Sequence, residues 1–94
     1  MRFRLGQLVA TYGISAAMGD DEAFHCFVMD SLDRYRSCDW GELSATDRKA
    51  NDAAVRNGSD RILAVYISKE LRKKIWIITE ADRCCTTVMF PQEY

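Results

Sequence analysis

The chain has 94 residues, 48% hydrophobic and 29% charged, with 13 Lys and Arg against 14 Asp and Glu and a formal net charge of −1. That length supports one α+β domain over residues 1–94, built round a single core with little apolar material to spare for a deep cavity. The balanced charge lacks the basic excess of a nucleic-acid binder, and no window is long and apolar enough to span a bilayer, so neither nucleic acid nor membrane is the expected partner.

In chain order, Met1 to Ala10 begins with two arginines, but Arg4 and Gln7 interrupt the apolar run that a secretory leader needs. A cytoplasmic chain is expected, with Cys26, Cys38, Cys84 and Cys85 kept as thiols. Arg2 to Val9 alternates in character and reads as a half-buried strand. Gly13 breaks the pattern, and Ile14 to Met18 suits one or two helical turns. Asp20 or Asp21 is placed to cap a helix that runs to about Ser37 with Glu22 near its positive end. Phe24, Phe27, Val28, Leu32 and Tyr35 fall on one face of it, while Asp30, Asp33 and Arg34 lie away.

Cys38 to Leu43 reads as a turn that buries the indole of Trp40. Ser44 or Thr46 caps the next helix, which ends at Asn57 and Gly58 and presents small residues, Ala50, Ala53 and Ala54, inward. Three segments rich in β-branched and aromatic residues follow: Arg61–Ile67, Ile75–Thr79 and Thr86–Phe90. No Gly, Asn or Asp lies between Ser68 and Lys73, so that connection is expected to be longer than a two-residue primed turn. The sum is a small, mainly antiparallel sheet of about four strands with two or three helices on one face. Trp76, inside an apolar strand, is expected in the core.

Chemistry is sparse. His25 and Cys26 are consecutive, Cys38 stands apart, and Cys84 and Cys85 are adjacent, so no metal-ligand spacing exists and no metal is expected. Neighbours on a strand point to opposite faces, which sets Cys84 and Cys85 apart. A His25–Cys26 dyad on one helix is poorly aligned, and the glycines match no phosphate-binding spacing, so no cofactor and no catalytic set is expected. Glu80 and Asp82 are the remaining acid–base candidates. Lys69, Arg72, Lys73 and Lys74 form a local basic run, read as a solvated connection or, in a rival reading, as a nucleic-acid contact.

Two polar groups remain as candidate partner-binding residues. Trp40 stands with Asp47 and Asn51, which are four apart on one helix face. Glu80, Asp82 and Arg83 make the second group, in which Arg83 can fork onto a carboxylate. The bland alternative is a core indole and a turn fixed by a local ion pair. An outer strand also offers unpaired backbone groups to a second copy, so the expected partner is another protein or the chain itself as a homodimer.

Asp39-Trp-Gly-Glu-Leu43, Asp47-x-x-x-Asn51-x-Ala53-Ala54, Trp76-Ile-Ile-Thr-Glu-Ala-Asp-Arg83-x-x-Thr86-Thr87 and Pro91-x-Glu93-Tyr94 together resemble a group of small bacterial plasmid-related proteins carried on plasmids and integrative elements. The resemblance runs from Asp39 to Tyr94 and is weaker from Phe3 to Met18. It implies a bacterial cytosolic protein of mobile-element origin and brings no biochemical activity with it. Some of those proteins carry labels tied to restriction–modification, yet this chain lacks a methyltransferase's cofactor motif. Relatives often place Asp-Gly where this chain has Lys69 to Lys73.

Overall fold

The computed structural model describes residues 3–94. Its elements are β1 (Gln7–Ala10), α1 (Tyr12–Asp20), α2 (Glu22–Arg36), α3 (Ala45–Asn57), β2 (Ile62–Ser68), β3 (Lys73–Thr79) and β4 (Cys85–Met89), closed by a short 3-10 turn, Pro91–Glu93. The sheet order is β1-β4-β3-β2. β2–β3 and β3–β4 are antiparallel, and the N-terminal strand joins β4 in parallel, so the expected α+β architecture stands with a mixed sheet.

The expected first strand is shorter than its alternating pattern. Only Gln7–Ala10 pairs, Phe3 and Leu5 pack on the core instead, and Arg2 lies outside the described residues. Gly13 does not end an element but sits inside α1. The reason is space: a Cβ there would stand 2.6 Å from the Glu93 carboxylate, which accepts the Gly13 N–H at 3.1 Å. Asp21 caps α2 by accepting from the N–H groups of Ala23 and Phe24, and Ser44 caps α3 through the N–H of Asp47. Gly58 ends α3 in the left-handed region, φ 66°.

Register sorts the strand side chains. Ile62, Ala64 and Tyr66 share one face with Ile75, Ile77, Thr79, Thr86 and Val88. Phe24, Val28, Leu32 and Tyr35 of α2 pack there with Ile14 of α1 and Ala54 of α3. The inner stripe of α3 is turned from the expected one: Ala50 is exposed and Ala53 half-buried, while Asn51 and Ala54 are buried. The connection between β2 and β3 is a four-residue loop, with Arg72 at φ 55° closing the Ser68–Lys73 pair.

The opposite sheet face carries Leu63, Val65 and Ile67, then Trp76 and Ile78, then Thr87 and Met89, then Val9. No helix among the described residues packs on it. Trp76, expected in the core, is half-buried on this second face. Tyr94 meets it edge-on at 5.4 Å between ring centroids, and the Arg61 guanidinium lies 5.6 Å from the Tyr94 ring. Among the described residues no helix is long and apolar enough to cross a membrane.

Candidate functional site

The first polar group is built by α3 and the chain between α2 and α3. Trp40 is 3% exposed, its ring set against Tyr35 at 5.5 Å and Phe3 at 5.8 Å. Its indole N–H donates to the Asp52 carboxylate at 2.9 Å. Asn51, 7% exposed, donates to the Leu63 carbonyl at 2.8 Å and accepts the Leu63 N–H at 3.4 Å. One residue pair further along, Val65 N–H donates to the Trp40 carbonyl and its carbonyl accepts from Glu42. Together these contacts satisfy the outward groups of Leu63 and Val65 on β2, so strand addition at that edge, an expected route to self-association, is blocked over both residues. Asp47 stays exposed in the first turn of α3.

Beside Trp40 lies an open depression of about 380 Å³, lined by Arg34, Asp39, Gly41, Glu42, Arg48 and Asp52 among others. Arg34 donates to Asp39 through Nε at 2.8 Å and Nη2 at 3.1 Å, a bidentate pair that lowers the carboxyl pKa of Asp39 and raises that of the guanidinium. Tyr66 donates to the Asp39 carbonyl at 2.7 Å, and burial pushes its phenol pKa up. Gly41 is at φ 73°, and a Cβ there would stand 2.0 Å from the Val65 carbonyl oxygen. The wall of the depression sets Arg34 and Arg48 among Asp39, Glu42 and Asp52, with Arg34 and Asp39 paired.

The second polar group is the turn from β3 to β4. Arg83 does not fork onto a carboxylate as expected. Its guanidinium donates to main-chain carbonyls: Asp60 at 2.7 Å, Ala54 at 2.9 Å, and Glu80 and Ala81 at 3.2 Å each. It thereby ties the turn to the end of α3, where the Ala54 carbonyl also accepts the Gly58 N–H. Asp82 accepts the Cys84 N–H at 2.9 Å, and the Cys84 side chain first, then that N–H, lower its carboxyl pKa. Glu80 and Asp82 are both exposed. The two polar groups therefore meet round α3, Asn51 at its middle and Arg83 at its end, with Trp40, Asn51 and Arg83 turned to internal bonds.

Adjacent to Asp82, the two cysteines do not diverge. Cys84 precedes β4 and Cys85 begins it, and the Cys84 thiol donates to the Cys85 sulfur at 3.6 Å. The strand rule that separates neighbouring side chains fails here because Arg83 is in the left-handed region, φ 61°, and turns the chain just before pairing begins. The Asp82 carboxylate and the Cys85 sulfur raise the Cys84 thiol pKa to about 12.

At the corner of α1 and α2, His25 and Cys26 line a second open depression of about 420 Å³ with Asp20 and Glu22. No group of three His, Cys, Asp or Glu side chains among the described residues is arranged to hold a metal ion. Sequence reasoning missed the second sheet face, yet its signal was present. Ile62 to Ile67 and Ile75 to Ile78 are continuous apolar runs, and half-buried strands alternate instead. Comparison with protein-family models, curated proteins and solved structures returned no match.

Proposed function

We propose that the chain is a non-catalytic module that self-associates through its second sheet face, with another copy of itself as the occupant. One observation carries the reading: β2 and β3 bear apolar residues on both faces, and the helices cover only one. Ile67 is 44% exposed and Val9 37% exposed at the margins of the other, while Ile78 and Val65 between them are buried, with Tyr94 and Arg61 as the partial cover described above. The indole N–H of Trp76 on that face is also buried with no acceptor among the described residues.

A second copy suits the face on charge and area. Lys74 is its one cation within the paired strands, so two such faces meet with little repulsion. Strands about 4.8 Å apart and roughly 17 Å long give a face of about 350 Å² in projection. Side-chain relief enlarges what two stacked copies cover, but Tyr94 and Arg61 already shield part of it, so the interface lies at or below about 1,200 Å², the low end for a stable one. The basic loop supports the nucleic-acid alternative poorly, since Lys73 lies 6.0 Å from the Phe90 ring while Lys74 shares the opposite face with Ile67. Glu80 and Asp82 both stand exposed, which favours binding over acid–base catalysis. The motif resemblance adds a bacterial, mobile-element origin and a cytosolic setting to the proposal.

Sedimentation across the micromolar range tests it. A reversible monomer–dimer equilibrium is expected, abolished by Ile67→Glu or Val9→Glu with circular dichroism unchanged. A wild-type chain that stays monomeric throughout sinks the reading.

A further inference from the structure

Independently of how the chain associates, we propose that Cys84 and Cys85 form a chelating site for a trivalent arsenical. The sulfurs stand 3.6 Å apart, Cys84 exposed and Cys85 half-buried, at the start of β4. With sulfur bonds of about 2.3 Å, two sulfurs on a linear centre lie roughly 4.6 Å apart, on a tetrahedral centre roughly 3.8 Å, and on a pyramidal centre roughly 3.4 Å. The observed spacing lies nearer the tetrahedral and pyramidal values than the linear one. A tetrahedral ion needs further ligands, and no metal-holding trio exists among the described residues. A pyramidal centre that keeps its own third substituent needs the two sulfurs alone.

The backbone around the pair is held on both sides. Cys84 N–H is bonded to Asp82 at 2.9 Å, the Cys84 carbonyl accepts Gln7 N–H at 3.0 Å, and the Cys85 carbonyl accepts Glu80 N–H at 3.1 Å. Gly6 fits over this bend because a Cβ there would stand 2.3 Å from the Arg83 carbonyl oxygen. That anchoring disfavours an internal disulfide, which needs sulfurs about 2.05 Å apart and Cα atoms usually beyond about 4.4 Å, against about 3.8 Å across one trans peptide. A wider bridging atom fits the sulfurs nearly where they are.

The chemistry needs two neighbouring thiols and no redox partner. An organoarsenic oxide, R–As=O, condenses with both S–H groups: two S–H bonds break, two As–S bonds form, and the oxygen leaves as water with both protons. Arsenic stays trivalent, so no oxidant or reductant enters.

Phenylarsine oxide added to the reduced full chain, followed by intact mass spectrometry, tests the site. One adduct per chain is expected, resistant to excess 2-mercaptoethanol and removed by 2,3-dimercaptopropanol. Loss of either sulfur removes the chelate, so C84S and C85S should each weaken binding by about a hundredfold or more, while C26S and C38S leave it unchanged. Circular dichroism establishes that each variant is folded. Folded C84S or C85S that binds like the wild type, or an adduct that 2-mercaptoethanol strips from the wild type, overturns the proposal.

Discussion

Thr79 shows how much one buried hydroxyl can organise. The Leu5 carbonyl can only accept, so Thr86 spends its single proton there, at 2.7 Å. Thr86 must then accept from Thr79 at 2.7 Å, and Thr79 from Tyr35 at 2.6 Å. This one-way chain links α2, β3, β4 and the N-terminal segment inside the core, and burial is the main reason the Tyr35 phenol pKa is raised. Thr79→Val removes its middle member and leaves two groups short of a partner. A loss of about 1–3 kcal/mol is expected in denaturant unfolding, with the m-value unchanged. Glu93 acts at the surface in a similar way, accepting from Thr11 Oγ1 at 2.6 Å, Phe90 N–H at 2.9 Å and Gly13 N–H. The Thr11 bond chiefly lowers its carboxyl pKa. A lowered folded pKa means the stabilisation is complete above the unfolded value, about 4.3, and disappears as pH falls through the folded one. Thermal melts from neutral to acid pH should therefore show a decline below that point that is shallower in Glu93→Gln.

At the scale of elements, α3 works as a brace with one contact at its middle and one near its C-terminal end. Asn51 holds the β2 edge, and Arg83 reaches up from the β3–β4 turn to the Ala54 carbonyl. Asn51→Leu keeps the branched shape and removes both bonds to Leu63. It should cost about 1–3 kcal/mol and leave an unpaired strand edge, seen as faster aggregation on heating. Arg83 combines a clamp with an unfavourable backbone, which separates two variants. Arg83→Ala loses the guanidinium bonds and keeps the left-handed strain, whereas Arg83→Gly loses the bonds and relieves it. Gly should thus be more stable than Ala by about 1 kcal/mol, with both below the wild type; the reverse order would show that the strain is not felt.

For the whole molecule, the two sheet faces are unequal. One is filled by three helices, and the other has Tyr94 and Arg61 folded over part of it. If two copies meet there, folding and association are linked, and the melting temperature should rise with protein concentration in the wild type but not in Ile67→Glu. The same reasoning sets Tyr94→Ala apart. Removing a partial cover costs some stability in the single chain, and its effect on dimerisation reads out whether the ring is a lid or an interface anchor.

The elements were legible because their signals are local. Asp21 and Ser44 cap by reaching two or three residues ahead, Gly58 stops α3 by its own backbone, and the α2 stripe of Phe24, Val28, Leu32 and Tyr35 needs only helical spacing. Trp40's burial followed from the habits of an indole, whereas its partner Asp52 was seen only in the structure. Partners distant along the chain were not legible. Nothing near Gly13 announces Glu93, eighty residues on, and nothing near Arg83 announces the Ala54 carbonyl. Cys84 and Cys85 converge because of the backbone turn at Arg83, which a strand pattern does not encode. Sequence by itself determined which segments become helix or strand and the apolar stripe of α2, since propensity, capping and periodicity act within a few residues. Only the tertiary structure decided that β1 lies parallel beside β4, that the polar groups turn inward, and that one apolar sheet face has no helix over it, because each depends on which distant surfaces remain once the chain has packed.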